Sequence, residues 1–177
     1  MKLRTFLLVT AFSCSTAAVS FASPIDNFKL SDGTNVFAFS LPSSPTPDQV
    51  IQNDDALQFT MNNVAVDVNG TPANYFISFF NELTGGGLCI DPVDTSCLGG
   101  NILNQSGPQL FTGSEAIPTF SLGTFSLTNY NFGPNNTFSS DFTLEITSSE
   151  IPEPSSLLML STGVLGLVGA VRRKLSV

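Results

Sequence analysis

The residues that come closest to a chemical arrangement are four aspartates, Asp54 with Asp55 and Asp91 with Asp94. Facing carboxylates can hydrolyse glycosides, one acting as acid and the other as base or nucleophile. Loop carboxylates together with backbone carbonyls can also hold calcium. Both clusters lie in polar, turn-like surroundings, where aspartates usually cap backbone N–H groups or stay solvated. Neither follows the spacing of an EF-hand loop, so they stand as calcium candidates and no metal site is assigned. The chain has no histidine at all, which removes Ser-His-Asp and Cys-His catalysis. Cys89 and Cys97 are too few for a zinc site, and their spacing is not that of a thioredoxin-type redox pair. A structural disulfide is the expected use, closing a loop of about nine residues and stabilising by ~2.5 kcal/mol through loop-closure entropy. The expectation is a non-enzyme that needs no cofactor.

Charge narrows the partners. The six basic residues are Lys2, Arg4, Lys29, Arg172, Arg173 and Lys174, so five of them stand near the two ends. Between Ser23 and Glu150 one lysine faces thirteen carboxylates, a net of 1 − 13 = −12. Binding a phosphate backbone needs clustered Lys and Arg, so nucleic acid is excluded as a partner of this body. Hydrophobic content of 42% is too high for a disordered chain.

The first 22 residues read as a signal peptide. Lys2 and Arg4 form a positive start, an apolar stretch follows from Phe6, and Ser20 and Ala22 put small side chains at −3 and −1. Cleavage is expected between Ala22 and Ser23. Cys14 has Phe12 where a lipoprotein signal wants a small residue, so no lipid anchor is expected.

At the other end, Ile151-Pro152-Glu153-Pro154-Ser155-Ser156 precedes an uncharged run over 157–171, closed by Arg172-Arg173-Lys174. Two prolines around Glu153 forbid helix and keep the backbone extended, as a protease groove requires. The run can form a helix of about 15–17 residues, roughly 23–26 Å long, enough for a short membrane span. The basic triplet would act as a stop-transfer signal on the cytoplasmic side and leave the body outside.

Pro152-Glu153-Pro154, the apolar segment and the basic cluster, in that order, resemble the PEP-CTERM sorting signal of Gram-negative bacteria. The resemblance covers residues 151–177 and makes Pro152, Glu153 and Pro154 the recognition residues. It implies an exosortase, an integral-membrane cysteine peptidase, as the processing partner, alongside the export machinery. It also implies anchoring in the inner membrane through 157–171 with the body in the periplasm. After processing, the body would reach the outer surface or the extracellular space. The family is associated with exopolysaccharide. A plain anchor that nothing cuts is the alternative.

The body, 23–150, must then position whatever is exposed. Its pattern is period-two with turn punctuation. Strands are expected at Asn35–Leu41, Ala56–Met61, Val64–Val68, Asn74–Phe80, Gln109–Thr112, Pro118–Leu122, Gly123–Tyr130 and Thr137–Thr147. Asn69-Gly70 signals a tight hairpin turn. The stretch Gly85–Gln109 reads as a long irregular excursion carrying both cysteines. Short strands at this spacing predict an all-β antiparallel sandwich or jelly-roll, filled by the thirteen body phenylalanines. A signal helix and a transmembrane helix would flank it. A non-catalytic surface or extracellular-matrix protein is the leading expectation, followed by an exopolysaccharide-binding module, then by a carboxylate glycosidase.

Overall fold

Alternation of large apolar and small polar residues makes the strands, and strand length decides how they close. The computed structural model describes residues 24–53, 56–92, 97, 102–130 and 137–149. Its strands are β1 (Ile25–Ser31), β2 (Val36–Pro42), β3 (Gln49–Asn53), β4 (Ala56–Val68), β5 (Thr71–Phe80), β6 (Leu88–Asp91), β7 (Leu103–Ser106), β8 (Phe111–Ser114), β9 (Ile117–Phe120), β10 (Gly123–Asn129) and β11 (Phe142–Ser149). The only helical element among the described residues is the 3-10 turn Glu82–Thr84.

The main sheet runs β2-β1-β11-β10-β7-β6-β5-β4-β3, and β2 also pairs with β4. That extra pairing, Phe37↔Val68 and Ala38↔Asp67, joins the sheet to itself. Eight strands therefore form a barrel-like ring of the up-and-down type, every named strand pairing being antiparallel. The expected sandwich or jelly-roll is corrected to a single closed sheet. The physical reason lies in β4, whose 13 residues are long enough to serve two neighbours on one edge. Its first half pairs with β3 and its last residues with β2. A bulge between Met61 and Val64, with Asn63 at φ 55°, separates the two halves. Bulges of this kind bend a strand and raise its twist, which favours closure. The two flanking helices fall outside the described residues.

An eight-stranded ring is just wide enough for side chains to fill it. Phe28, Phe37, Phe39, Phe59 and Phe79 point inward and are buried. Phe28 stacks on Phe39 at 4.7 Å and Phe59 on Phe79 at 5.0 Å between ring centroids. The β8–β9 hairpin is a separate two-stranded sheet that closes one end of the barrel. Its Phe120 meets Phe28 edge-on at 4.7 Å and lies 4.9 Å from Phe79, while Phe111 meets Phe59 at 4.9 Å.

Candidate functional site: the pole of the barrel where the first and last strands meet

Strand β1 begins two residues after the expected cleavage at Ala22–Ser23, and β11 ends three residues before Pro152. These two strands are neighbours, in register from Ile25↔Ser149 to Ser31↔Thr143. Directly paired antiparallel residues lie ~4.5–5.5 Å apart. The start of β1 and the end of β11 therefore meet at one point on the rim of the barrel. We call this end the terminal pole and the opposite end, with the β1–β2 and β4–β5 turns, the turn pole. Because β11 is hydrogen-bonded on both sides, to β1 and to β10, a cut beyond Ser149 leaves the barrel whole.

The terminal pole is held by polar contacts. The Ser43 N–H donates to Pro24 O at 2.8 Å, and Ser43 Oγ donates to Asp26 Oδ1 at 2.6 Å. Asp26 is buried, and its Oδ2 has no hydrogen-bond partner. Phe120 N donates to Ser43 O at 2.9 Å, tying the plug hairpin to the end of β2. At the hairpin tip, buried Glu115 accepts from Gln52 Nε2 at 2.8 Å and Asn81 Nδ2 at 2.7 Å. Burial raises the Glu115 carboxyl, but its own backbone N–H and the amides of Gln52 and Asn81 outweigh that, and the net shift is downward. Asn81 also caps the 3-10 turn, its Oδ1 accepting from Leu83 N at 3.0 Å.

At the turn pole, Asp32 Oδ1 accepts the N–H groups of Asn35 at 2.6 Å and Thr34 at 2.8 Å, and Oδ2 accepts Asn35 Nδ2 at 3.0 Å. The backbone bond from Asn35 leads these in lowering the Asp32 carboxyl to about 2. Asn69 and Gly70 both have positive φ, 54° and 85°, as the hairpin signal requires.

A cleft of about 820 Å³ opens in the wall where β2 and β4 part. Ala38, Val64, Lys29, Asn62 and Asp67 are among its lining residues. Asp67 is the single carboxylate in that lining, and its Oδ1 accepts Gly70 N at 2.6 Å.

The residues singled out from the sequence are placed as follows. Cys89 and Cys97 are bonded, with Cα atoms 6.3 Å apart. Cys89 sits on the outer face in a cross-strand row, Thr60–Ser78–Cys89–Asn104, whose four members are all buried. Thr60 and Ser78 share a hydroxyl hydrogen bond of 2.8 Å within it. Asp91 is buried at the end of β6, opposite Phe76. Its proposed calcium companions Asp54, Asp55 and Asp94 lie outside the described residues. Among the described residues no group of three His, Cys, Asp or Glu side chains is placed to hold a metal ion. Ala22, Ser23, Pro152, Glu153, Pro154, Arg172, Arg173 and Lys174 also lie outside them. Sequence reasoning missed the adjacency of the two ends, because β1 carries an inward aspartate that hides its pattern. It also missed Glu115, an acidic residue in a hairpin turn with nothing local to mark it.

No curated protein and no solved structure matches the chain. Residues 150–174, directly behind the last strand of the barrel, match the PEP-CTERM protein-sorting motif, which implies export, a membrane-anchored sorting tail and exosortase-related processing.

Proposed function

We propose that this chain is a non-catalytic surface or extracellular-matrix protein, delivered outward by its signal peptide and held at the inner membrane by the apolar run 157–171. An exosortase cutting near Pro152-Glu153-Pro154 then releases or transfers a finished barrel. The observation that carries this reading is the position of the sorting motif, immediately after Ser149. Pro152 comes three residues after the end of a strand that pairs with β1 on one edge and β10 on the other, so a cut at the motif would cost the barrel no strand. The phenylalanine-filled interior and the one-carboxylate cleft favour a body without a catalytic task. The same features weigh against a sugar-stacking platform, since Tyr130 is the one aromatic among the strongly exposed apolar side chains described.

The test is intact mass and fractionation of the protein from its native host, beside a Pro152→Ala/Glu153→Ala/Pro154→Ala variant. The native form is expected to start at Ser23, end near the motif and leave the inner membrane, while the variant stays there with its tail. If both forms keep 157–177 and remain in the membrane, the tail is a permanent anchor and the sorting reading fails.

A further inference from the structure

We propose that the terminal pole of the barrel rests on the bilayer surface while the chain is anchored, with Leu83 and Ile117 inserted among the lipid headgroups. The proposal rests on the reading of 157–171 as a membrane segment.

Geometry supplies the first argument. From Ser149 to Leu157 there are eight residue steps, at most about 29 Å of extended chain. The strand that leads to this tether ends at the terminal pole, beside the start of β1. A short tether leaving from that rim turns the same pole toward the membrane and the turn pole away from it.

The second argument is what the pole exposes. Among the described residues five large apolar side chains are strongly exposed, and three of them, Leu83, Ile117 and Leu122, belong to this pole. Leu83 is 84% exposed and Ile117 76%, values that leave almost the whole side chain without protein contact. Neither sits on a loose loop. The turn carrying Leu83 is capped by Asn81 and closed by Gly85 at φ 103°. The hairpin tip two residues before Ile117 is fixed by Glu115 to the same Asn81 and to Gln52. One asparagine side chain thus holds both projections, its Oδ1 on the turn and its Nδ2 on the hairpin. A joint of this kind, in which buried Glu115 is held by half-buried Asn81 and exposed Gln52 beneath two solvent-facing apolar side chains, fits a surface that meets an apolar layer. The body's acidity disfavours attraction to anionic lipid, so the contact is apolar and suits zwitterionic headgroups.

The chain contains no tryptophan, which makes a single introduced indole an unambiguous reporter. Leu83→Trp, Ile117→Trp and, on the turn pole, exposed Thr71→Trp are each placed in the full-length chain. Each is reconstituted into zwitterionic bilayers whose acyl chains are brominated near the headgroup, at the depth of roughly 5–10 Å that interfacial side chains reach. Fluorescence at positions 83 and 117 is expected to be at least about halved relative to unbrominated bilayers, with position 71 unchanged. Equal quenching at all three positions, or none at 83 and 117 in protein that floats with the bilayers, overturns the proposal while leaving the anchor intact. Protein that fails to float overturns the anchor reading and this proposal with it.

Discussion

Phe120→Ala tests whether the β8–β9 hairpin is an integral plug or a surface appendage. Phe120 is buried and its ring lies 4.7 Å from Phe28, 4.9 Å from Phe79 and 6.0 Å from Phe59. Truncating a fully packed phenylalanine costs about 3–5 kcal/mol, from lost transfer energy and the cavity left behind. The upper part of that range applies here, because three of the rings that would face the cavity belong to β1, β4 and β5, strands held on both edges and poorly able to collapse inward. For a body of this size, such a loss lowers the melting temperature by roughly 10–20 °C. Ile117, three residues earlier on the same strand and 76% exposed, is the control. Ile117→Ala should stay within ~0.5 kcal/mol of the unsubstituted protein. Urea unfolding of the exported, processed form, followed by circular dichroism, gives both values. A cost below about 1 kcal/mol for Phe120→Ala, with an unchanged denaturant slope, would show that the hairpin is not packed into the barrel end.

Four further outcomes follow from the same geometry. Replacing both Cys89 and Cys97 by alanine should lower stability by ~2.5 kcal/mol from the reopened nine-residue loop, and reducing agent should then have no further effect on the melting temperature of that variant. Gly87→Ala should be severely destabilising, by more than about 2 kcal/mol in the same urea assay, because Gly87 has φ 75° and an added Cβ would collide with the Gln105 carbonyl. Glu115→Gln puts an amide N–H₂ where two amide donors now converge, so a loss of about 1–3 kcal/mol is expected, and calorimetry at pH 7 reads it. Asp32 has a carboxyl depressed to about 2, so its contribution to stability is present above the ordinary 3.8 and is lost as pH falls through 2. Titration by NMR should find its midpoint near 2, rising only part of the way toward 3.8 in Asn35→Ala, which loses the side-chain Nδ2 bond but keeps the leading backbone N–H.

What could be read from the sequence was decided by which faces of each strand meet water. Strand β2 has one wet face, so Phe37, Phe39 and Leu41 stand out against Val36, Ala38 and Ser40, and the Asn69-Gly70 turn fixes the hairpin between β4 and β5. The missed strands each break that condition. In β6, Leu88, Cys89, Ile90 and Asp91 are all buried, because the outer face is covered where the disulfide ties Cys97 to Cys89, and alternation disappears. The glycines beside it, which made the stretch look irregular, are there because Gly86 and Gly87 pass against the backbone of Gly107 and Gln105. In β3 every residue but Ile51 is exposed, so nothing marks it as sheet. In β1 the inward series is Asp26, Phe28, Leu30, and the leading aspartate reads as loop. Closure was illegible for a different reason. Period-two patterning reports which side of a strand is buried, and a sandwich and a filled barrel bury the same side. The decision rests on two residue pairs between β2 and β4 and on a bulge at Asn62–Asn63, long-range features with no local signature. The sorting segment was legible because its requirements are local: an extended Pro-Glu-Pro, an uncharged run and a basic stop, in order along the chain. Joining the two levels gives the functional geometry. The last strand, Phe142–Ser149, pairs with β1 on one edge and β10 on the other and ends directly before the matched sorting motif, so every strand described precedes that motif.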